Sequence, residues 1–376
     1  MKHIRVEHLK AGMRFTQAVY IDRDTLFLEP NLPLKQIEID RLIKWKVKEV
    51  HTDGEIAKRP ARGDEEGTSQ KGYKLSNRKT VELFDEVLGG VGDIFEAVAK
   101  GSRVNYDRVD EIVARLLKAV EADPENMSQL VLLPGESSNL LESSVKTAIL
   151  SSIIGKTLKI YGFRLVQLTK AALLHDVGML KVPQAIRSKK GKLTADELKI
   201  VKTHPAQGYT VALKELKCPE EVASIILHHQ ERWDGTGYPK GLKKENIPLG
   251  ARIVAVADAF EALVNRRSYR DPIIGYRAMK TILSDNGRHF DPTVLKALLG
   301  SLGIYPLGSL VLLNNSCIGK VVKNRAAAPV RPRIQLLVDE YGDRITEYRE
   351  IDLLEQKNLF IAKAVDPQGS DAIENA

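Results

Sequence analysis

Apolar residues recur at helical spacing through the middle of the chain. Phe84, Val87, Val91, Ile94, Phe95 and Val98 form one stripe, and Val109, Ile112, Val113, Leu116, Leu117 and Val120 form another; intervals of three and four place each set on one helix face. From 137 to about 299 the pattern continues as helices punctuated by Gly and Pro, with almost no two-residue alternation. Both ends differ. Residues 1–57 mix β-like runs (Arg14–Tyr20 and Val47–Val50) with a helical stretch at Gln36–Ile43, and 58–76 is a Gly-, Lys-, Arg- and Glu-rich segment without period. Beyond Gly303, three runs (309–313, 318–322 and 333–338) alternate as short strands. The expected fold is therefore mainly α. A helical bundle at 137–300 follows a helical connector at 77–136 and a linker at 58–76. A small α+β module (1–57) precedes them, and a small β extension (301–367) follows.

Composition narrows the class only a little. Hydrophobic residues at 43% and charged residues at 28% exclude a disordered or collagen-like chain. The formal charge of +8 is not gathered into a basic tail, so DNA is not an expected partner. Two distant cysteines form no metal-type pair and point to a reducing compartment. No export-type leader and no long apolar run is seen, so the expected address is the cytoplasm, without a membrane span.

Histidine changes the picture. The chain has 8, and His175, His204, His228, His229 and His289 fall in one region. Leu168, Ala171 and Ala172 precede His175 by seven, four and three residues, which turns its side chain inward. His204 stands in the same phase after Glu197, Ile200 and Val201, on a helix expected to open with the capping box Thr194–Glu197. His229 does so after Val222, Ile225 and Ile226, on a helix started by Pro219. Asp258 lies in the apolar run Arg252–Phe260, where an unpaired carboxylate would be costly. One inward histidine is usually a core residue, but four helices aiming His or Asp at a common interior predict a divalent-metal site. The loop from His228 to Pro239, with Gly235 and Gly237, reads either as a plain turn or as a rigid wall that presents Tyr238 to a base. His3, His8 and His51 are scattered in sequence, and His289 reads as structural.

These blocks, His175-Asp176-Val177-Gly178, His204-Pro205, His228 to Pro239, Ile247–Ile253, Val256–Leu263 and Arg267-Ser268-Tyr269-Arg270, together resemble the HD-GYP phosphodiesterases. These are bacterial enzymes of the HD superfamily that hydrolyse cyclic di-GMP. The β tail and the N-terminal module are similar to segments often joined to that domain. The resemblance implies hydrolysis of cyclic di-GMP to pGpG and/or GMP through a metal-activated water, with two divalent ions, Fe or Mn. Asp176 would bridge them, His175 and Asp258 would hold one, and His204 with His228 and His229 the other. Gly237, Tyr238 and Pro239 would face the substrate, and Arg267 and Arg270 would hold its phosphates. The implied partners are the cyclic dinucleotide, a GGDEF-type or other signalling protein at the loop, and a second copy in a homodimer. Three positions depart from the family pattern. Ser143 stands where a further ligand His is usual, Met179 replaces a Lys, and Gln230 intervenes before Glu231. They leave open an impaired member that binds a cyclic dinucleotide or partner protein without turnover. Another HD-type hydrolase, acting on mononucleotides or guanosine tetraphosphate, is the third reading.

Overall fold

A computed structural model describes residues 2–10, 12–21, 26–28, 34, 36–44, 47–56, 78–102, 104–132, 139–189, 191–265, 275–325 and 327–365. The chain divides into two units. One comprises Met1–Lys71, Leu310–Lys323 and Arg331–Ala376, and the other Gly72–Ser309 with Asn324–Val330.

The first unit holds two antiparallel sheets. Strands β1 (Lys2–Arg5), β2 (Val19–Tyr20) and β3 (Leu26–Leu28), helix α1 (Gln36–Lys44) and strand β4 (Glu49–Thr52) form the N-terminal module, with sheet order β1-β4-β2-β3. Phe15, Val19, Leu34, Leu42 and Val50 are its core. The expected run at Arg14–Tyr20 contracts to β2. Upstream of it the backbone N–H of Glu55 bonds the Thr16 hydroxyl, and Phe15 keeps only an isolated bridge to Ile56.

The second unit is helical: α2 (Arg78–Lys100), α3 (Tyr106–Ala122), α4 (Pro124–Leu132), α5 (Leu140–Thr157), α6 (Phe163–Leu174), α7 (Gln184–Arg187), α8 (Ala195–Val201), α9 (His204–Thr210), α10 (Glu220–His228), α11 (Leu249–Val264), α12 (Gly275–Ser284) and α13 (Pro292–Leu302). Helix α5 is buried all round from Ser143 to Gly155, with α4, α6, α11 and α13 against it. A helix without a polar face belongs at the centre of a bundle. Both expected stripes are inward: Val87, Val91, Ile94, Phe95 and Val98 on α2, and Val109, Ile112, Val113, Leu116 and Val120 on α3.

The second sheet, back in the first unit, runs β8-β7-β6-β5-β9. Its strands are β5 (Leu310–Leu313), β6 (Ile318–Lys323), β7 (Arg333–Val338), β8 (Glu350–Asp352) and β9 (Ile361–Val365).

One expectation needs correcting. The Thr194–Glu197 capping box forms, but α8 ends at Val201, and His204 opens the separate helix α9. Pro205 is the reason: lacking an N–H, it cannot carry the helical bond ladder back to α8, so it sits in the first turn of a new helix and does not continue the old one.

The turn after α6 meets α9 at two glycines. A methyl on Gly178 would lie 2.0 Å from the His204 carbonyl oxygen and 2.4 Å from the Gly208 nitrogen. Gly178→Ala is therefore expected to push α9 away, destabilising the helical unit by about 1–3 kcal/mol and weakening divalent-metal binding, although no ligand is altered. Thermal unfolding with and without Mn(II) measures both effects.

Candidate metal centre

Four chain segments deliver the polar side chains. His175 caps the C-terminus of α6 with Asp176 next to it, His204 opens α9, His228 and His229 close α10, and Asp258 lies on α11. His175, His204, His228 and His229 are all buried.

Each ring is oriented by the backbone one turn earlier. Nδ1 of His175, His204 and His229 lies 2.8, 2.8 and 2.7 Å from the carbonyl oxygens of Ala172, Val201 and Ile226, and that of His228 lies 2.8 Å from Ser224. A carbonyl only accepts, so each Nδ1 carries a proton, and in the neutral ring Nε2 is left to present its lone pair.

Those lone pairs converge on one carboxylate. Nε2 of His204 and of His229 lie 3.2 and 3.7 Å from Asp176 Oδ1, and His175 Nε2 lies 3.4 Å from Asp176 Oδ2 and 3.7 Å from Asp258 Oδ1. Nε2 of His204 faces Nε2 of His229 at 3.2 Å. Nε2 of His175 and of His228 are buried without a hydrogen-bond partner. Two facing lone pairs and an orphaned buried nitrogen are unfavourable unless a positive charge sits among them. His175, Asp176 and His229 bring donor atoms within 4.8 Å of one another, so the residues fit a divalent cation.

Electrostatics agree. Burial opposes charge on His175, yet Asp176 and Asp258 hold its imidazole well above the ordinary histidine range. Burial would likewise raise Asp176, but the adjacent His175, by its charge first and then by its hydrogen bond, holds it well below the ordinary carboxylate range. His204 is lowered, by burial first, and stays a neutral donor. The centre as a whole favours a cation beside an ionised Asp176.

The wall beside it is the 228–239 loop. Tyr238 stands edge-on to His204, with ring centroids 6.3 Å apart, and burial together with Asp176 and Asp258 keeps its phenol protonated. The loop is tied from within. Buried Glu231 accepts the backbone N–H groups of Lys240 (2.7 Å) and Leu242 (3.0 Å), and Asp234 accepts the backbone N–H and the hydroxyl of Thr236. A methyl on Gly237 would lie 2.3 Å from the Arg232 nitrogen, so the chain closes on itself there. Arg252 spans Trp233 (5.6 Å to the ring centroid) and Asp291 (2.5 Å).

Of the residues singled out from sequence, His175, Asp176, His204, His229 and Asp258 come together. His228 is buried beside them on α10, and its Nε2 is not among the clustered donors. Gly237, Tyr238 and Pro239 line the loop, with Tyr238 against His204. Arg267 and Arg270 lie outside the described residues. His289 pairs with Asp285 and lies 3.2 Å from Arg232, away from the cluster. Ser143 donates to Glu261 at 2.7 Å, while Glu142 pairs with the buried Lys146, which also bonds Asn265 at 2.8 Å. Sequence reading missed Lys202, whose ammonium lies 5.4 Å from the Tyr238 ring centroid, and the anchor Glu231. The only signal for Lys202 was its place two residues before His204; nothing in the pattern gave the contact.

Imidazoles gathered round a His-Asp turn between helices define an HD-type domain, and comparison with known proteins agrees. The HD domain family matches residues 114–294, and the KOW domain associated with HD domain matches 310–371. Cyclic di-GMP phosphodiesterase PA4108 of Pseudomonas aeruginosa is 35% identical over 259 residues, covering 69% of this chain and 62% of that protein. Cyclic di-GMP phosphodiesterase PdeB of Borreliella burgdorferi is 26% identical over 81% of this chain and 80% of its own length. The HDG"Y"P protein Bd1817 from Bdellovibrio bacteriovorus, at 17% identity, shares the fold with a TM-score of 0.50 over 79% of this chain and 97% of its own. The chain thus spans 62% of the length of the Pseudomonas relative. It belongs to the HD-GYP family. No helix among the described residues is long and apolar enough to cross a membrane.

Glu231→Ala would strand two part-buried backbone N–H groups at about 1–3 kcal/mol. Amide exchange at Lys240 and Leu242 is then expected to accelerate by about 10- to 100-fold, at roughly tenfold per 1.4 kcal/mol, while exchange within α5 stays unchanged. Site-resolved hydrogen exchange reads both.

Proposed function

We propose that the chain is a metal-dependent phosphodiesterase that hydrolyses cyclic di-GMP to pGpG and/or GMP. One observation carries this: three backbone-oriented imidazoles turn their Nε2 lone pairs onto Asp176 in a buried site with Asp258 alongside. The names of the Pseudomonas and Borreliella relatives, both cyclic di-GMP phosphodiesterases, support the substrate class.

In this reading His175 with Asp258, and His204 with His229, would hold two ions with Asp176 shared between them, and His228 would turn its unpaired Nε2 toward the second. Fe or Mn suits imidazole mixed with carboxylate. When bound, such ions supply the Lewis acidity that polarises a phosphoryl oxygen and lets water attack at neutral pH. The remaining work belongs to the chain. Tyr238, held protonated, donates a hydrogen bond and offers its ring face to a guanine, and Lys202 behind it supplies a phosphate-directed cation. Gly237 and Pro239 keep the loop close to the site. Arg267 and Arg270 are assigned to the phosphates for their forked geometry. A GGDEF-type partner would meet the loop on its exposed Arg232 and Thr236 edge.

Ser143 and Met179 motivate the competing view of a non-hydrolysing binder. The pairing of Ser143 with Glu261 argues for turnover, because the buried His/Asp cluster is assembled without Ser143.

Anaerobically purified protein given Mn(II) or Fe(II) and cyclic di-GMP is expected to release pGpG or GMP, to stop on chelation, and to lose about 10³-fold in turnover in Asp176→Ala, the equivalent of roughly 4 kcal/mol of transition-state stabilisation. Product analysis by chromatography checks it. Metal bound at the site without product would contradict the catalytic reading and leave the binder.

A further inference from the structure

The sequence scatters the N-terminal histidines, but the fold joins two of them. Strand β1 pairs with β4 so that His3 lies directly opposite His51, and Arg5 opposite Glu49. The His3 and His51 rings meet edge to face with centroids 4.4 Å apart. His3 Nδ1 lies 3.3 Å from Glu49 Oε1. His3, Glu49 and His51 each offer a donor atom, all within 4.8 Å of one another. All three share the outward face of the sheet, because Val50 and Thr52 between and beside them on β4 are buried on the other side.

We propose that His3, Glu49 and His51 form a second divalent-metal site, on the outward face of the N-terminal sheet, which takes a zinc-type ion through two imidazoles and one carboxylate. The ligand set is the kind that zinc and its neighbours prefer. The spacing is close to what is needed. Two ligands bonded to one ion at about 2.1 Å can stand no more than about 4.2 Å apart, so donors within 4.8 Å need only a small rotamer adjustment. The side chains are free to make it: His3 and Glu49 are 58% and 47% exposed. Their backbones are not free, since both strands lie in a hydrogen-bonded sheet, and β4 is paired on both edges. Three protein ligands facing outward leave the remaining coordination positions to water or to a donor from another molecule. None of these residues belongs to the helical centre, so the proposal stands whether or not that centre hydrolyses a cyclic dinucleotide.

Full-length protein equilibrated by dialysis against ZnCl₂ tests it by metal analysis. The double variant His3→Ala/His51→Ala is expected to hold one zinc ion fewer per chain than the parent, with Mn(II) binding at the helical centre unchanged. Glu49→Gln, a conservative surface change that avoids the question of folding, is expected to weaken that zinc by at least ~10-fold, the lower range seen when even a supporting partner of a metal ligand is lost. Unchanged zinc content in the double variant, or unchanged zinc affinity in Glu49→Gln, overturns the proposal.

Discussion

The hydrogen bond from each histidine Nδ1 to the carbonyl one helical turn behind it is what the helical domain depends on. That bond uses the ring's proton on the backbone, fixes the tautomer and turns Nε2 toward Asp176. It also requires a bundle in which helix ends, where carbonyls lack intrahelical partners, point at a common interior. His175 sits at the end of α6 and His229 at the end of α10, and His204 finds the Val201 carbonyl across the break between α8 and α9. The break is therefore part of the site, as is the glycine contact that lets the His175–Asp176 turn lie against α9.

Much of this was legible in the sequence. Helical phase turned His175, His204 and His229 inward, the apolar run around Asp258 singled out that carboxylate, and the ordered motif blocks led to the family. Phase worked because these helices have one apolar face, and an inward polar residue then stands out. It failed where several elements meet. His204 is in phase with α8 yet belongs to α9, because Pro205 resets the helix. Lys202, Glu231 and Lys146 act through contacts across loops or between α5 and α11, which no local period encodes. Strands β3 and β8, of three residues each, are too short for alternation to register, and the pairing of His3 with His51 follows from strand register, a property of the folded sheet alone.

The departures from the family pattern gain a physical setting. Where a further histidine is usual, α5 carries a buried polar network: Ser143 on Glu261, and Lys146 between Glu142 and Asn265. Glu261 lies one turn beyond Asp258 on α11, and Asn265 caps that helix. Buried ions are tolerated only when paired in this way, and the network ties α5 to the helix that carries Asp258, the carboxylate beside His175. Ser143 thus reads as part of the frame around the centre.

The central claim is that imidazole Nε2 atoms gathered at Asp176 hold a divalent ion. X-ray absorption on the full chain loaded anaerobically with one equivalent of Fe(II) addresses it directly. The account predicts a first shell of nitrogen and oxygen at about 2.0–2.2 Å, the range for imidazole and carboxylate on such ions, with imidazole outer-shell scattering that disappears in Asp176→Ala. A spectrum with oxygen ligands alone, or one indifferent to that substitution, would contradict it.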